Sequence, residues 1–481
     1  MDPIEVLAAL ATILAAGFGA LTLILRDPKC LSFAEQLALS WLGGTGIVSL
    51  SIWLFGFVLS GPALFSVVSF ICVALPLVAW KTKGAFRLQE LRRPSPIELA
   101  LACILSVEIL AVGCLAFAYT LGWDGLLNWE IKARYAFANG GVMPAAYFQD
   151  AGRAFSHPEY PLAIPFTELW LYFWLGEASQ FCAKVIFPIY YACGAVLLVA
   201  ISARLTGKIW TAFVAGIVLF FVPQITVEAG SAIVGYADFP LSVFYLAAIG
   251  YPLCANRNSD NGDFFRIYAV CLAFLPWVKR EGVILWLIAA IYGAFVIWRS
   301  KRSPKYLCAL LPGLCIVLAW RIYLSQMHAV SSSDFMEVNL VNLRANIHRF
   351  GPILSGFAYE FTDLRAWGLF WLVAGLAGVY FVRRHGGAHA IVLIVSIVAP
   401  LAAYASIYVF SDWPDYHRHA GLSMSRLLMH LAPLACLTLP AALASLPSLR
   451  EVFYQSRARS AVATTTCEEE IPGRTTGIDF A

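Results

Sequence analysis

A chain of 481 residues that is 60% hydrophobic and only 13% charged argues against a water-soluble fold, since soluble domains run near half apolar and a quarter charged. A formal net charge of +4 gives no reason to expect a nucleic-acid partner. An outer-membrane barrel is disfavoured as well, because runs such as Ile391 to Leu401 and Ala309 to Trp320 do not alternate polar with apolar residues.

Crossing the hydrocarbon core takes roughly 20 apolar residues as helix, each backbone polar group finding its partner within the segment. Apolar runs set against breaks of charge, Gly and Pro predict about thirteen helices, an all-α transmembrane bundle. In chain order they lie near 5–25, 34–59, 63–80, 98–121, 183–203, 208–223, 238–254, 265–278, 282–298, 306–324, 367–382, 389–410 and 426–446. The first has Asp2 and Glu5 before it and Arg26 and Lys29 after it, the reverse of a secretory signal peptide, and reads as a retained helix. Cysteines such as Cys72, Cys103, Cys114, Cys271 and Cys436 sit singly in apolar runs with no metal-ligand spacing, so they read as small core residues.

Basic residues recur at alternate loops: Arg26/Lys29, Lys81/Lys83/Arg87/Arg92/Arg93, Arg204/Lys208, Arg257, Arg299/Lys301/Arg302/Lys305 and Arg383/Arg384. By the positive-inside rule one orientation satisfies all six, with the amino terminus outside and the carboxyl terminus inside. The chain then divides into amino-terminal transmembrane helices (1–121), an outer loop with interface helices (122–182), a transmembrane bundle (183–446) with outer loops 325–366 and 411–425, and a polar tail (447–481). That tail is too poor in apolar residues to pack and reads as a disordered cytoplasmic end. No repeat of fixed period is evident.

Chemistry-bearing residues concentrate in the outer segments. Asp124, in Gly122-Trp123-Asp124-Gly125, is a carboxylate at the membrane edge with no local cation, a functional candidate by default. Glu130 and Arg134 stand four apart, which makes either a solvated pair on an interface helix or part of a site. His157-Pro158-Glu159-Tyr160-Pro161 is a rigid turn by its prolines; as metal ligands His157 and Glu159 are a weak signal. Asp238 opens the helix at 238–254, where it either caps free N–H groups or serves a site. Lys279 and Arg280 lie in an outer hairpin against the charge bias of the other loops. They suit a phosphate, or else snorkel beside Glu281. Past Asp412-Trp413-Pro414-Asp415 and His417-Arg418-His419, Arg426 starts a helix at its outer end, where the dipole disfavours a cation unless an anion is near.

At these residues the chain resembles the membrane-embedded GT-C glycosyltransferases, particularly bacterial relatives of the protein O-mannosyltransferases and lipid A aminoarabinose transferases. The similarity rests on Trp123-Asp124, on His157 to Trp170, on Asp238-Phe239-Pro240-Leu241, on Lys279, and on Arg426 followed by Pro433. It runs in order over residues 122–433, although four helices precede the first outer loop, where those families place one, and the families' usual acidic pair is not adjacent here. The resemblance implies a multi-pass protein of a bacterial inner membrane that moves a sugar from a polyprenyl-phosphate donor to an outer-side acceptor. Asp124 would be the catalytic base. Lys279, Arg280, Arg426, Asp238, Glu130, His157, Glu159 and Tyr160 would bind substrate, and a divalent cation is an open question. The competing expectation is a transporter or flippase, whose intramembrane charges line a substrate path.

Overall fold

The computed structural model describes residues 3–84, 93–228, 231–255, 262–299, 303–330, 334–385 and 388–445. Arg87, Arg92, Arg257, Lys301, Arg302 and the tail at 447–481 lie outside the described residues. Those described contain helices and no strand; Phe335 and Ser411 form an isolated antiparallel bridge that ties the segment after Gln326 to the one after Tyr408.

The long helices are α1 (Pro3–Ile24), α2 (Phe33–Phe55), α3 (Gly61–Lys83) and α4 (Pro96–Ala118), followed by the short α5 (Ile131–Ala138) and α6 (Ala163–Leu175). Then come α7 (Ile186–Thr206), α8 (Ile209–Val218), α9 (Asp238–Cys254), α10 (Asp263–Val278), α11 (Gly282–Arg299), α12 (Leu311–Gln326), α13 (Phe350–Phe361), α14 (Phe370–His385) and α15 (Ala388–Tyr408). The last apolar stretch is broken into α16 (Met424–Met429), α17 (Ala432–Ala435) and α18 (Thr438–Ser445). Eight helical segments among the described residues are long and apolar enough to cross a bilayer, and a ninth, bent by 45°, joins Tyr416–Met429 to Ala432–Ser445. This is the signature of a multi-pass membrane protein. The segments predicted at 208–223 and 238–254 are helical but shorter, at 10 and 17 residues.

Burial separates the helices by role. Every residue of α9 from Asp238 to Leu253 is buried, as expected of a helix that is apolar all round. It packs against α7, α10 and α11, with α2 behind α7 and α10. By contrast α3, α4 and α12 keep most of their surface outward, showing Phe70, Leu77, Ile104, Leu110 and Ile322, the face a lipid-bathed helix presents. Ser32 with Glu35 and Ser95 with Glu98 form capping boxes that fix where α2 and α4 begin.

The two ends of the bundle differ in charge. At one end Arg204 pairs with Glu35 at 2.5 Å, the Arg26 and Asp27 N–H groups donate to Asp263 at 2.8 and 2.9 Å, and Lys83 donates to the Leu25 carbonyl. Lys208 reaches the Ala444 carbonyl there as well. Arg26, Lys83, Arg204 and Lys208, from three of the six basic loops, thus gather at one end. The opposite end holds the segments after α4, between α10 and α11, after α12 and before α16, and these enclose a cavity.

Candidate functional site: a charged chamber at one end of the bundle

Asp124 reaches the chamber because the backbone around it is pressed onto the loop before α9. The Gly122 N–H donates to the Val234 carbonyl at 2.8 Å, and a Cβ on Gly125 would stand 2.4 Å from that same oxygen. Only glycine allows that approach. From Gly125 to Glu130 the chain makes a π-helical turn before α5, a local irregularity often found at functional sites. Asp124 thereby sits above Asp238, 114 residues away in sequence but sharing one guanidinium.

That guanidinium is Arg426: its Nη2 lies 2.6 Å from Asp124 Oδ2 and 3.0 Å from Asp238 Oδ2, and it stacks over the Tyr236 ring at 4.8 Å. Asp238 is fully buried and makes no cap to its own helix. Its other oxygen, Oδ1, accepts from Lys279 Nζ at 2.7 Å and lies 3.0 Å from His430 Nε2. His430 is one helical turn beyond Arg426, so a kinked but helical stretch presents both to the same carboxylate. Lys279 lies 3.3 Å from Glu281 as well. It is buried rather than snorkelling, with two of its three donors directed at carboxylates.

Arg280 points the other way. Its guanidinium donates to Glu159 at 3.1 Å and covers the rings of Tyr160 and Phe335. Tyr160 stacks on His157, with ring centroids 4.9 Å apart, and its hydroxyl donates to Glu281 at 3.4 Å. His157 itself holds a left-handed backbone, φ 47°, and its Nδ1 stands 3.7 Å from Glu159 and 3.5 Å from Asp334. Asp334 accepts from the Trp413 indole at 2.9 Å, and Trp413 lies flat on His419. Burial works to raise Glu281, but Lys279 and Arg280 hold its carboxyl below the usual carboxylate range. Burial, reinforced by Glu281, lifts the Tyr160 phenol well above its ordinary value.

The cavity these groups line has a volume of about 830 Å³. Its polar wall carries Asp124, His157, Glu159, Tyr160, Lys279, Arg280, Glu281, Asp334, His419 and Arg426, while Val283 and Ile284 of α11, Val317 and Leu318 of α12 and Ile407 of α15 make an apolar wall. Leu318 is at once a wall residue and 51% exposed. Leu287 and Ile291 continue down α11 from Ile284 and are exposed too, so the chamber's apolar side merges with the lipid-facing surface.

Eight of the nine residues predicted for a site are therefore brought together, Asp238 as the buried anchor beneath the wall. Glu130 is not at the wall. It accepts from Arg134 at 2.8 Å and from the Tyr172 hydroxyl at 2.7 Å behind the chamber. Beside it Glu168 is fully buried, its two oxygens without a hydrogen-bond partner among the described residues. Burial first and Glu130 second raise its carboxyl well above the ordinary value. Lys132 is likewise enclosed, donating to Asn128 Oδ1 at 2.8 Å between the Trp129 and Tyr160 rings. Burial lowers it to about 7, against the pull of Glu159 and Asp124.

Arg321, Asp334, Tyr404 and Trp413 are wall residues that the sequence reading did not select. Arg321 carried a signal, being a cation inside an apolar run; Tyr404 in its apolar helix carried none. Among the described residues no group of three His, Cys, Asp or Glu side chains could hold a metal ion, and of the acids of the wall Asp124, Glu159 and Glu281 pair with Arg426, Arg280 and Lys279. Compared with known proteins, the chain matches no family model, no curated protein and no solved structure.

Proposed function

We propose that this membrane protein is a glycosyltransferase of GT-C type that moves a sugar from a polyprenyl-phosphate donor to an acceptor at the chamber end. The observation that carries the reading is the pairing, in one cavity, of an acid-and-cation wall with an apolar wall continuous with the lipid-facing surface. A donor with a long apolar tail and an anionic head matches both walls at once. Arg321 lines the chamber with no ion-pair partner among the described residues, which suits it to the phosphate. Arg426 is shared by two carboxylates. A phosphate that draws its guanidinium away leaves Asp124 free to take the acceptor's proton. The acceptor oxygen then bonds to the anomeric carbon as the carbon–phosphate oxygen bond breaks, and the electron pair leaves on the phosphate, stabilised by the cations.

The competing reading, a transporter or flippase, draws on the ion cluster of Asp238, Lys279 and Arg426 buried inside the bundle. One assay separates the two. Purified protein in vesicles is given radiolabelled polyprenyl-phosphate sugars together with a hydroxyl-bearing acceptor glycan, and both release of carrier phosphate and movement of intact donor between leaflets are measured. Release that is lost in Asp124→Asn supports the transferase; movement without cleavage overturns it.

A further inference from the structure

The back of the chamber carries a second constellation that the transferase reading does not use. Tyr404, on α15, lines the cavity. Its hydroxyl lies 3.0 Å from His430 Nδ1, and the opposite ring nitrogen lies 3.0 Å from Asp238 Oδ1. His430 is 0% exposed, so its ring lies behind the wall and is reached from the cavity only through Tyr404.

The direction of these hydrogen bonds follows from charge. Asp238 is ionised, because Lys279 and Arg426 both pair with it and an ionised carboxylate only accepts. The hydrogen between it and the ring therefore sits on Nε2. Full burial of the ring, reinforced by the neighbouring Lys279 charge, opposes a second ring proton against the pull of Asp238 and Glu281. The ring is neutral and Nδ1 is a lone pair. The Tyr404 hydroxyl must then donate to it, spending its one proton, and no other partner occupies its oxygen among the described residues.

We infer that the Tyr404 oxygen is an acceptor-only subsite of the chamber, fixed by His430 and Asp238, that takes a ligand hydroxyl or N–H and rejects phosphate oxygens. The same Asp238 holds Arg426 through its other oxygen, so one buried carboxylate orients both the anion-seeking and the hydroxyl-seeking side of the cavity. The chemical class of ligand is a polyhydroxylated group such as a sugar ring. That this ring belongs to a donor or acceptor rests on the transferase reading; the hydrogen-bond polarity does not.

The test uses the full chain in lipid nanodiscs with ¹⁵N-labelled histidine and two probes of equal tail, octyl glucoside and octyl phosphate. Wild-type His430, assigned through His430→Gln, should show a neutral ring protonated on Nε2 with a hydrogen-bonded Nδ1. A ring protonated on Nδ1, or on both nitrogens, overturns the inference without any variant or substrate. Octyl glucoside should perturb the Nδ1 resonance, and Tyr404→Phe should weaken its binding about tenfold, the loss of one or so hydrogen bonds, while octyl phosphate binds as before. Equal losses for the two probes, unchanged glucoside binding, or no glucoside binding to the wild type would each defeat the subsite. Failure of the transferase reading would show elsewhere, as absence of carrier-phosphate release, with the nanodisc result intact.

Discussion

Asp124 acts as a base only if it is ionised and free of Arg426 in the reacting complex. Asp124→Asn keeps the side chain's size and removes its proton-accepting ability, and transfer is expected to fall at least about a hundredfold with donor binding retained; wild-type turnover in that variant would remove Asp124 from the mechanism. Arg321→Ala is expected to weaken donor binding about tenfold or more, because a charge-assisted contact contributes roughly 1.5–3 kcal/mol, which equilibrium binding of labelled carrier phosphate measures directly. Lys279→Met strips one partner from the buried Asp238 pair, a change that costs about 3 kcal/mol when a charge is left short of a counter-ion. A matching drop in the thermal midpoint is expected, even with no ligand present. Lys132 supplies a pH signature. Burial lowers its folded value to about 7, below the value near 10.4 of a free lysine. Between the two the unfolded chain holds a proton the folded chain lacks, so stability is lowest below pH 7 and rises from about 7 toward 10. Lys132→Met should flatten that rise, and an identical rise in both proteins would assign it to other groups. At this scale the sequence marked acids and cations in odd places, such as Asp124 and Lys279, because charge near a membrane is conspicuous. It could not reveal that Asp124 and Arg426 share a bond, since 302 positions separate them, nor that Tyr404 matters, since a tyrosine in an apolar helix is unremarkable by pattern.

Helices were the most legible elements, as each predicted run contains a helix among the described residues. The reason is that a bilayer demands long apolar runs whose hydrogen bonds close internally. Where the prediction blurs, the elements are short or broken. The run at 426–446 is helical in three pieces with a 45° bend, and Pro433 and Pro440 within it remove backbone donors that a straight helix would need. The break presents Arg426 and His430 to Asp238. Packing between helices is governed by small residues that period-based reading passes over. A Cβ on Gly17 would fall 1.8 Å from the Ser40 carbonyl, and one on Gly44 2.0 Å from that of Ile13, so α1 and α2 touch backbone to backbone. Gly44→Val should part these helices, lowering the thermal midpoint by several degrees, whereas Gly113→Val, at a position with open space around it, should leave it unchanged. Equal effects would mean that helix propensity rather than close approach governs this region.

Across the whole molecule the segregation of charge is the feature the sequence conveyed best. Alternating basic loops predicted two faces, and the structure gathers Arg26, Lys83, Arg204 and Lys208 at one end with the chamber at the other. Which end faces outward is a matter for labelling: tags at residue 2 and within 340–350 should be reached by impermeant reagents on intact cells, and tags in 83–93 or at the carboxyl terminus should not. A protected tag at 340–350 would place the chamber on the inner side.

The half-exposed Leu318 in the chamber wall has a kinetic corollary. A ligand that enters past it comes by lateral diffusion within a film, so its encounter rate is set by mole fraction among lipids and not by molarity in water. Adding inert detergent or lipid at constant protein and constant ligand should then slow the protein by surface dilution, and restoring the ratio of ligand to amphiphile should restore the rate whatever the total volume.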